Sequence, residues 1–235
     1  MSEEARGAVL ERLRRALHRQ GPGASGARDA VVARLAAAAP GLIPARGDLG
    51  HGGRIQLFTA EAEAVHATVR RLRRYDALPE AIARYLRERD LPLQLVMASD
   101  PLLGELDWPR SMLTVRARRA RDEDAVGLTL AFAAVAETGT LMLCSAAETP
   151  TTLAFLPETS IVVVAARRVL RAYEDCLRLL YEERKTLPRS INFVTGPSRS
   201  GDIEQTLQLG AHGPRRLHIL IVDEPVTRSG PRSWA

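Results

Sequence analysis

Apolar positions fall into short runs broken by glycine, proline and charged residues, and their spacing alternates between helix-like and strand-like periods. Val9, Leu10, Leu13, Ala16 and Leu17 share one helical face, with arginines and glutamates opposite. Gly21, Pro22, Gly23, Ala24, Ser25 and Gly26 then break the pattern as a flexible linker would. Residues 29–39 read as an Asp-capped helix stopped by Pro40 and Gly41. The expected organisation is an N-terminal helix and linker over 1–28, followed by a main domain over 29–235. Residues 44–53 read as an irregular loop that exposes His51. Residues 54–58 read as a short strand. Residues 61–75 read as a helix that turns Val65, Val69 and Leu72 inward and its arginines to solvent.

Pro79 opens a helix carrying Ile82, Tyr85 and Leu86. Residues 92–97 and 113–115 read as strands. The small-residue run 130–136 reads as a closely packed helix, 137–140 as a glycine turn, and 141–144 as a strand. Residues 161–164 are the most apolar strand, and an amphipathic helix over 170–184 follows. Alternating helices and strands predict an α/β fold with a largely parallel sheet.

The segment 191–222 carries the densest chemistry. Two strand-like runs, 191–194 and 217–222, flank the loop Thr195-Gly196-Pro197-Ser198-Arg199-Ser200-Gly201. Asp202 stands as an N-cap for a helix that Gly210 ends. Such a unit joins parallel strands by a right-handed crossover and sets its loop at the carboxyl end of the first strand. Loop amides, the hydroxyls of Ser198 and Ser200, and the Arg199 guanidinium then form a candidate anion site. The plainer reading is a turn whose glycines serve only the backbone, and at this level both stand.

Thr195-Gly196-Pro197-Ser198-Arg199, Asp202-Ile203-Glu204, Gly210, His212-Gly213-Pro214-Arg215 and Leu217-His218 together resemble the C-terminal signature of the lactate-utilisation (LUD) domain family, typified by lactate utilisation protein C. Ala136-Glu137-Thr138-Gly139-Thr140-Leu141 resembles the family's second signature. The likeness extends more loosely over 55–222. Where the family has a histidine before its mid-chain strand, this chain has Ser160. The resemblance implies a three-layer α/β/α fold with a mostly parallel mixed sheet, shared with sugar-phosphate isomerases, CoA transferases and formyltetrahydrofolate cyclo-ligase. It also implies a part in oxidising L-lactate to pyruvate alongside the iron–sulfur lactate utilisation proteins A and B. The chain would then be an accessory or assembly subunit without a cluster of its own. The alternative is an enzyme or binding protein for an anionic small molecule of phosphate, carboxylate, CoA or folate type at 195–202. In that case Glu137 is the candidate acid/base or nucleophile. Thr138, Gly139, Thr195, Gly196, Ser198, Arg199, Ser200, Asp202, His212 and Gly213 would bind the ligand. Glu137 as a mere anchor for turn amides is an equally good reading.

Composition narrows the classes. The net charge is +5 and the pI about 9.8, yet all but one of the 33 basic residues are arginine. Aromatic residues make up 4% of the chain and are not interleaved with the basic ones, so no nucleic-acid partner is expected. Two cysteines, Cys144 and Cys176, cannot supply the thiolates of an iron–sulfur cluster or a structural zinc site, so neither cofactor nor metal is expected. No apolar run approaches the roughly 20 residues of a membrane span, and a cytoplasmic protein is expected.

Overall fold

The computed structural model describes residues 3–17, 23–37, 41–184, 186–201, 207–209 and 213–224. The chain divides into two compact units, Met1–Ile43 and Pro44–Ala235. The first unit holds α1 (Glu3–Ala16) and α2 (Gly23–Ala37). Val9, Leu10 and Leu13 are exposed on α1. Helix α2 starts inside the segment expected to be a linker and runs through 28/29. The alanines and arginines that follow Gly26 favour helix strongly enough to carry the glycines along.

The second unit is built on six strands: β1 (Thr68–Leu72), β2 (Gln94–Met97), β3 (Thr114–Ala117), β4 (Val126–Leu130), β7 (Thr159–Ala165) and β12 (Arg216–Val222). Their order is β1-β12-β7-β4-β2-β3, and every pairing is parallel. The central strands β7 and β12 carry unbroken apolar runs because both of their faces are buried. Ile161, Val163, Leu220 and Val222 pack with Leu78, Ile82 and Leu86 of α4 (Leu78–Arg87). Val162, Val164, Ile219 and Ile221 face the other way, onto Ile55, Phe58 and Ala62 of α3 (His51–Ala64). Short α5 (Pro101–Gly104) follows β2, and α6 (Thr152–Phe155) lies against β4 and β7.

A second sheet shares the α3 side. Its strands are β5 (Ala133–Val135), β6 (Thr140–Cys144), β8 (Val169–Leu170) and β9 (Ile191–Val194), in the order β8-β5-β6-β9. Leu141 and Leu143 turn toward the main sheet. Met142 and Cys144 turn outward, onto Cys176 and Leu180 of α7 (Tyr173–Glu183). The α/β class and the mostly parallel sheet are those the sequence implies, with this mixed four-stranded sheet added.

Several local expectations change. Residues 54–58 lie in α3, where Ile55, Phe58 and Ala62 form a helical stripe. His51 is the first residue of that helix and remains exposed. Residues 68–72, expected within a helix, form edge strand β1, whose Thr68 and Val69 are β-branched and whose Arg71 pairs with Asp223 at 2.8 Å. Residues 130–136 supply the end of β4 and all of β5, because Ala133 and Ala134 are fully buried and let the two sheets approach closely. Residues 207–209, expected at the end of a helix, form β11 (Leu207–Leu209), antiparallel to β10 (Arg199–Gly201). Finally, β9 pairs antiparallel with β6, and β12 lies in the other sheet. The predicted parallel crossover over 191–222 therefore does not form.

Candidate functional site

The 136–141 signature is a tight turn between β5 and β6. Ala136–Thr138 form one 3-10 turn, and Gly139 closes it at φ 63°. A side chain at Gly139 would run into the backbone of Glu61 and Ala62 in α3. Glu137 is 8% exposed, and its Oε1 accepts from Arg46 Nε at 3.3 Å. Its amide donates to the Arg171 carbonyl at 3.3 Å. Thus the carboxylate ties the 45–47 segment to the turn rather than holding the turn's own amides.

Thr138 and Thr195 meet through a hydroxyl cluster. The Thr140 hydroxyl lies 2.7 Å from Thr138 Oγ1, 2.7 Å from Thr195 Oγ1 and 3.0 Å from the Tyr173 hydroxyl. The Thr138 hydroxyl also donates to Tyr173 at 3.1 Å. Tyr173 meets Phe193 edge-on, with ring centres 5.1 Å apart. The cluster thereby fixes where the C-terminal signature leaves β9.

Beyond Thr195 the chain borders a pocket of about 330 Å³. Gly196, Pro197, Ser198, Arg199, Gly213 and Pro214 form its loop side, while Ser160, Val162 and Leu217 form its sheet side. Gly196 adopts φ 74°, and a side chain there would strike the Val65 carbonyl. The Ser198 amide donates to Pro214 O at 2.8 Å, holding the 195–199 and 213–214 parts of the C-terminal signature together. Arg199 is exposed at the rim. Ser160 is 1% exposed, and its hydroxyl has no hydrogen-bond partner among the described residues. An unpaired buried hydroxyl is costly, so a polar group entering the pocket would be held there.

The structure places the sequence-nominated residues in two groups. Thr195, Gly196, Ser198, Arg199 and Gly213 share the pocket, whereas Glu137, Thr138 and Gly139 do not line it. The backbone of Ser200 pairs with Gln208, and Asp202 and His212 lie outside the described residues. The pocket sits at the amino ends of β7 and β12, not at the carboxyl edge that a crossover would select, because β9 belongs to the other sheet. Ser160 is not among the nominated ligand-binding residues; its sequence signals are a polar residue near the start of an otherwise apolar strand and its place where the family has a histidine.

His218 lies on the opposite face of β12, stacked on Tyr85 at 3.9 Å with Nδ1 2.8 Å from Thr68 Oγ1. Burial lowers its pKa to about 4, the Thr68 bond works the other way, and Arg89 and Arg70 lower it further. Cys144 and Cys176 are both buried and free; burial raises both thiol pKa values, that of Cys176 to about 12. Among the described residues no group of three His, Cys, Asp or Glu side chains could hold a metal ion, and no helix is long and apolar enough to cross a membrane.

Comparison with known proteins adds to this geometry. Residues 105–222 match the LUD domain. A lactate utilization protein C of Geobacillus thermodenitrificans is 34% identical over 150 residues, covering 55% of this chain and 62% of that protein. The match to this relative thus spans less than two thirds of its length. A lactate utilization protein C of Bacillus subtilis is 28% identical over 170 residues, covering 64% of this chain and 69% of that one. The crystal structure of a DUF162 family protein from Deinococcus radiodurans superposes with a TM-score of 0.53 at 21% identity. That superposition covers 74% of this chain and 99% of the other, a likeness of fold.

Proposed function

Because this chain belongs to the LUD domain family, we propose that it is a cytoplasmic component of a lactate-utilisation system that oxidises L-lactate to pyruvate. The observation that carries this reading is its similarity to several proteins named lactate utilization protein C. In this reading the chain works as an accessory or assembly subunit, and the iron–sulfur proteins A and B carry the electrons. Its own two cysteines are buried on either side of the interface between the second sheet and α7, with thiols held protonated, which suits packing rather than cluster ligation. The test is purification of the tagged chain from its native cell, with identification of bound proteins and an assay of lactate dehydrogenation. Cysteine-rich iron–sulfur partners and loss of lactate-dependent growth on deletion are expected. Unimpaired growth of the deletion strain on L-lactate, with no such partner retained, would overturn the proposal.

A second reading is favoured by the unpartnered Ser160 hydroxyl: the 195–199 pocket binds a small anion, with Arg199 at its rim. Ligand at about a hundred times its dissociation constant would stabilise the fold by roughly 2.7 kcal/mol. Phosphate, lactate and other carboxylates, and CoA or folate derivatives would be screened by thermal shift. The shift produced by the binding ligand should shrink in Arg199→Ala and in Ser160→Ala. Undiminished shifts in both variants would mean that the loop is structural only.

A further inference from the structure

The carboxyl edge of the parallel sheet holds a recess distinct from the pocket at its amino edge. From β2 the chain moves outward to β3, whereas from β4 it moves the other way to β7. Adjacent strands whose connections diverge leave a crevice beyond their carboxyl ends, the usual ligand position in open parallel sheets. Here Leu102 after β2, Phe132 after β4 and Ala165 at the end of β7 line an inner cavity of about 30 Å³. Arg168 and Arg184 line it too, and their guanidinium carbons lie 4.7 and 5.2 Å from the centre of the Phe132 ring.

Arg168 is the decisive residue. It is 6% exposed, and its Nη2 donates to both carboxylate oxygens of Glu183, at 2.9 and 2.7 Å. Its Nη1 is buried and has no hydrogen-bond partner among the described residues. A buried guanidinium with an unpaired donor is costly, and an acceptor entering the cavity would relieve that cost. Arg184 also lines an outer cleft of about 670 Å³, so the two cavities share this residue. The outer cleft adds Arg119 and Arg189, with Ser145, Thr151, Thr152 and Ser190. No aspartate or glutamate is among the described residues lining either cavity. Glu183 pairs with Arg168, and Arg119 and Arg189 stand exposed on a cleft of ligand size.

We propose that this crevice binds a small organic anion with more than one negative charge, of the phosphate-ester class. Arginine forks match phosphate oxygens in pairs, and the hydroxyls supply further donors. The inner cavity has room only for a water or a single substituent. The phosphate therefore sits in the outer cleft against Arg184, Arg119 and Arg189, with one oxygen or a bridging water reaching Nη1 of Arg168.

Titration calorimetry of the full chain with pyrophosphate and glycerol phosphate tests this, with L-lactate as the singly charged comparison. Both phosphates should bind, and lactate should not bind in this crevice. The exposed pair Arg119→Gln/Arg189→Gln, chosen to spare the core, should weaken phosphate binding at least about tenfold. Arg199→Ala, at the opposite sheet edge, should leave it unchanged. Absence of saturable phosphate binding up to about 10 mM would overturn the proposal, as would binding that survives the double variant. Equal binding of lactate, lost with the double variant, would overturn the phosphate assignment. A loss confined to Arg199→Ala would move the anion to the other pocket and overturn the crevice. None of these outcomes bears on the lactate-system reading, which rests on partner identification and growth.

Discussion

Gly139→Ala is expected to lower the unfolding free energy by about 3 kcal/mol or more, measured by chemical denaturation at neutral pH. Two costs add. Gly139 sits at φ 63°, a conformation costing a residue with a Cβ roughly 1–2 kcal/mol. The new methyl would also meet backbone atoms of Glu61 and Ala62, which cannot swing aside as a flexible side chain would. Relief would require shifting α3, whose Ile55, Phe58 and Ala62 fill the core beneath β7 and β12. Gly52→Ala is the control. Gly52 lies in α3 with open space around its Cβ position, and alanine there should be neutral or stabilise by up to about 1 kcal/mol. If Gly139→Ala unfolds at the wild-type denaturant midpoint, the packing of the turn on α3 is wrong.

The second large effect is pH dependence through His218. The imidazole is 4% exposed, and its pKa falls from the usual 6.5 to about 4, chiefly by burial. Between these values the unfolded chain holds a proton that the folded chain does not. Stability therefore rises with pH over this window and is flat above about 6.5. Acidification from pH 7 to 4 should remove about 3 kcal/mol through this one group. His218→Phe keeps a ring against Tyr85 but cannot titrate, so its stability should depend less on pH across the window. At pH 7 the variant should be somewhat less stable, because Thr68 loses its 2.8 Å partner. Parallel pH profiles for the two proteins would show that His218 is not buried in its neutral form.

Much of the fold was legible because local pattern and burial coincide at its centre. The apolar run in β7, the strand-like ends of β2 and β6, and the amphipathic faces of α4 and α7 each report their own surroundings. The alternation within β12 is hidden from Ile219 onward, since a strand covered on both faces is apolar on both. Errors gathered where tertiary contacts override propensity. Alanines at 133 and 134 favour helix in isolation, yet here they allow two sheets to approach. Arginine-rich 68–72 looked like a solvated helix, yet its β-branched start pairs along β12 as an edge strand.

The sequence by itself determined the family, through two signature blocks in a fixed order, together with the α/β class and the two glycine turns at 139 and 196. Those features are encoded within a few residues of one another, where backbone sterics and side-chain period act directly. Only the tertiary structure decided that β9 joins the second sheet. It alone separated Glu137 from the 195–199 pocket, set Ser160 into that pocket, and gathered Arg119, Arg168, Arg184 and Arg189 around the opposite edge. Each of these depends on which strand edges pair and which faces are buried together. That choice is made by long-range packing between segments distant in sequence, as Thr140 and Thr195, 55 residues apart, illustrate. No local spacing can carry it.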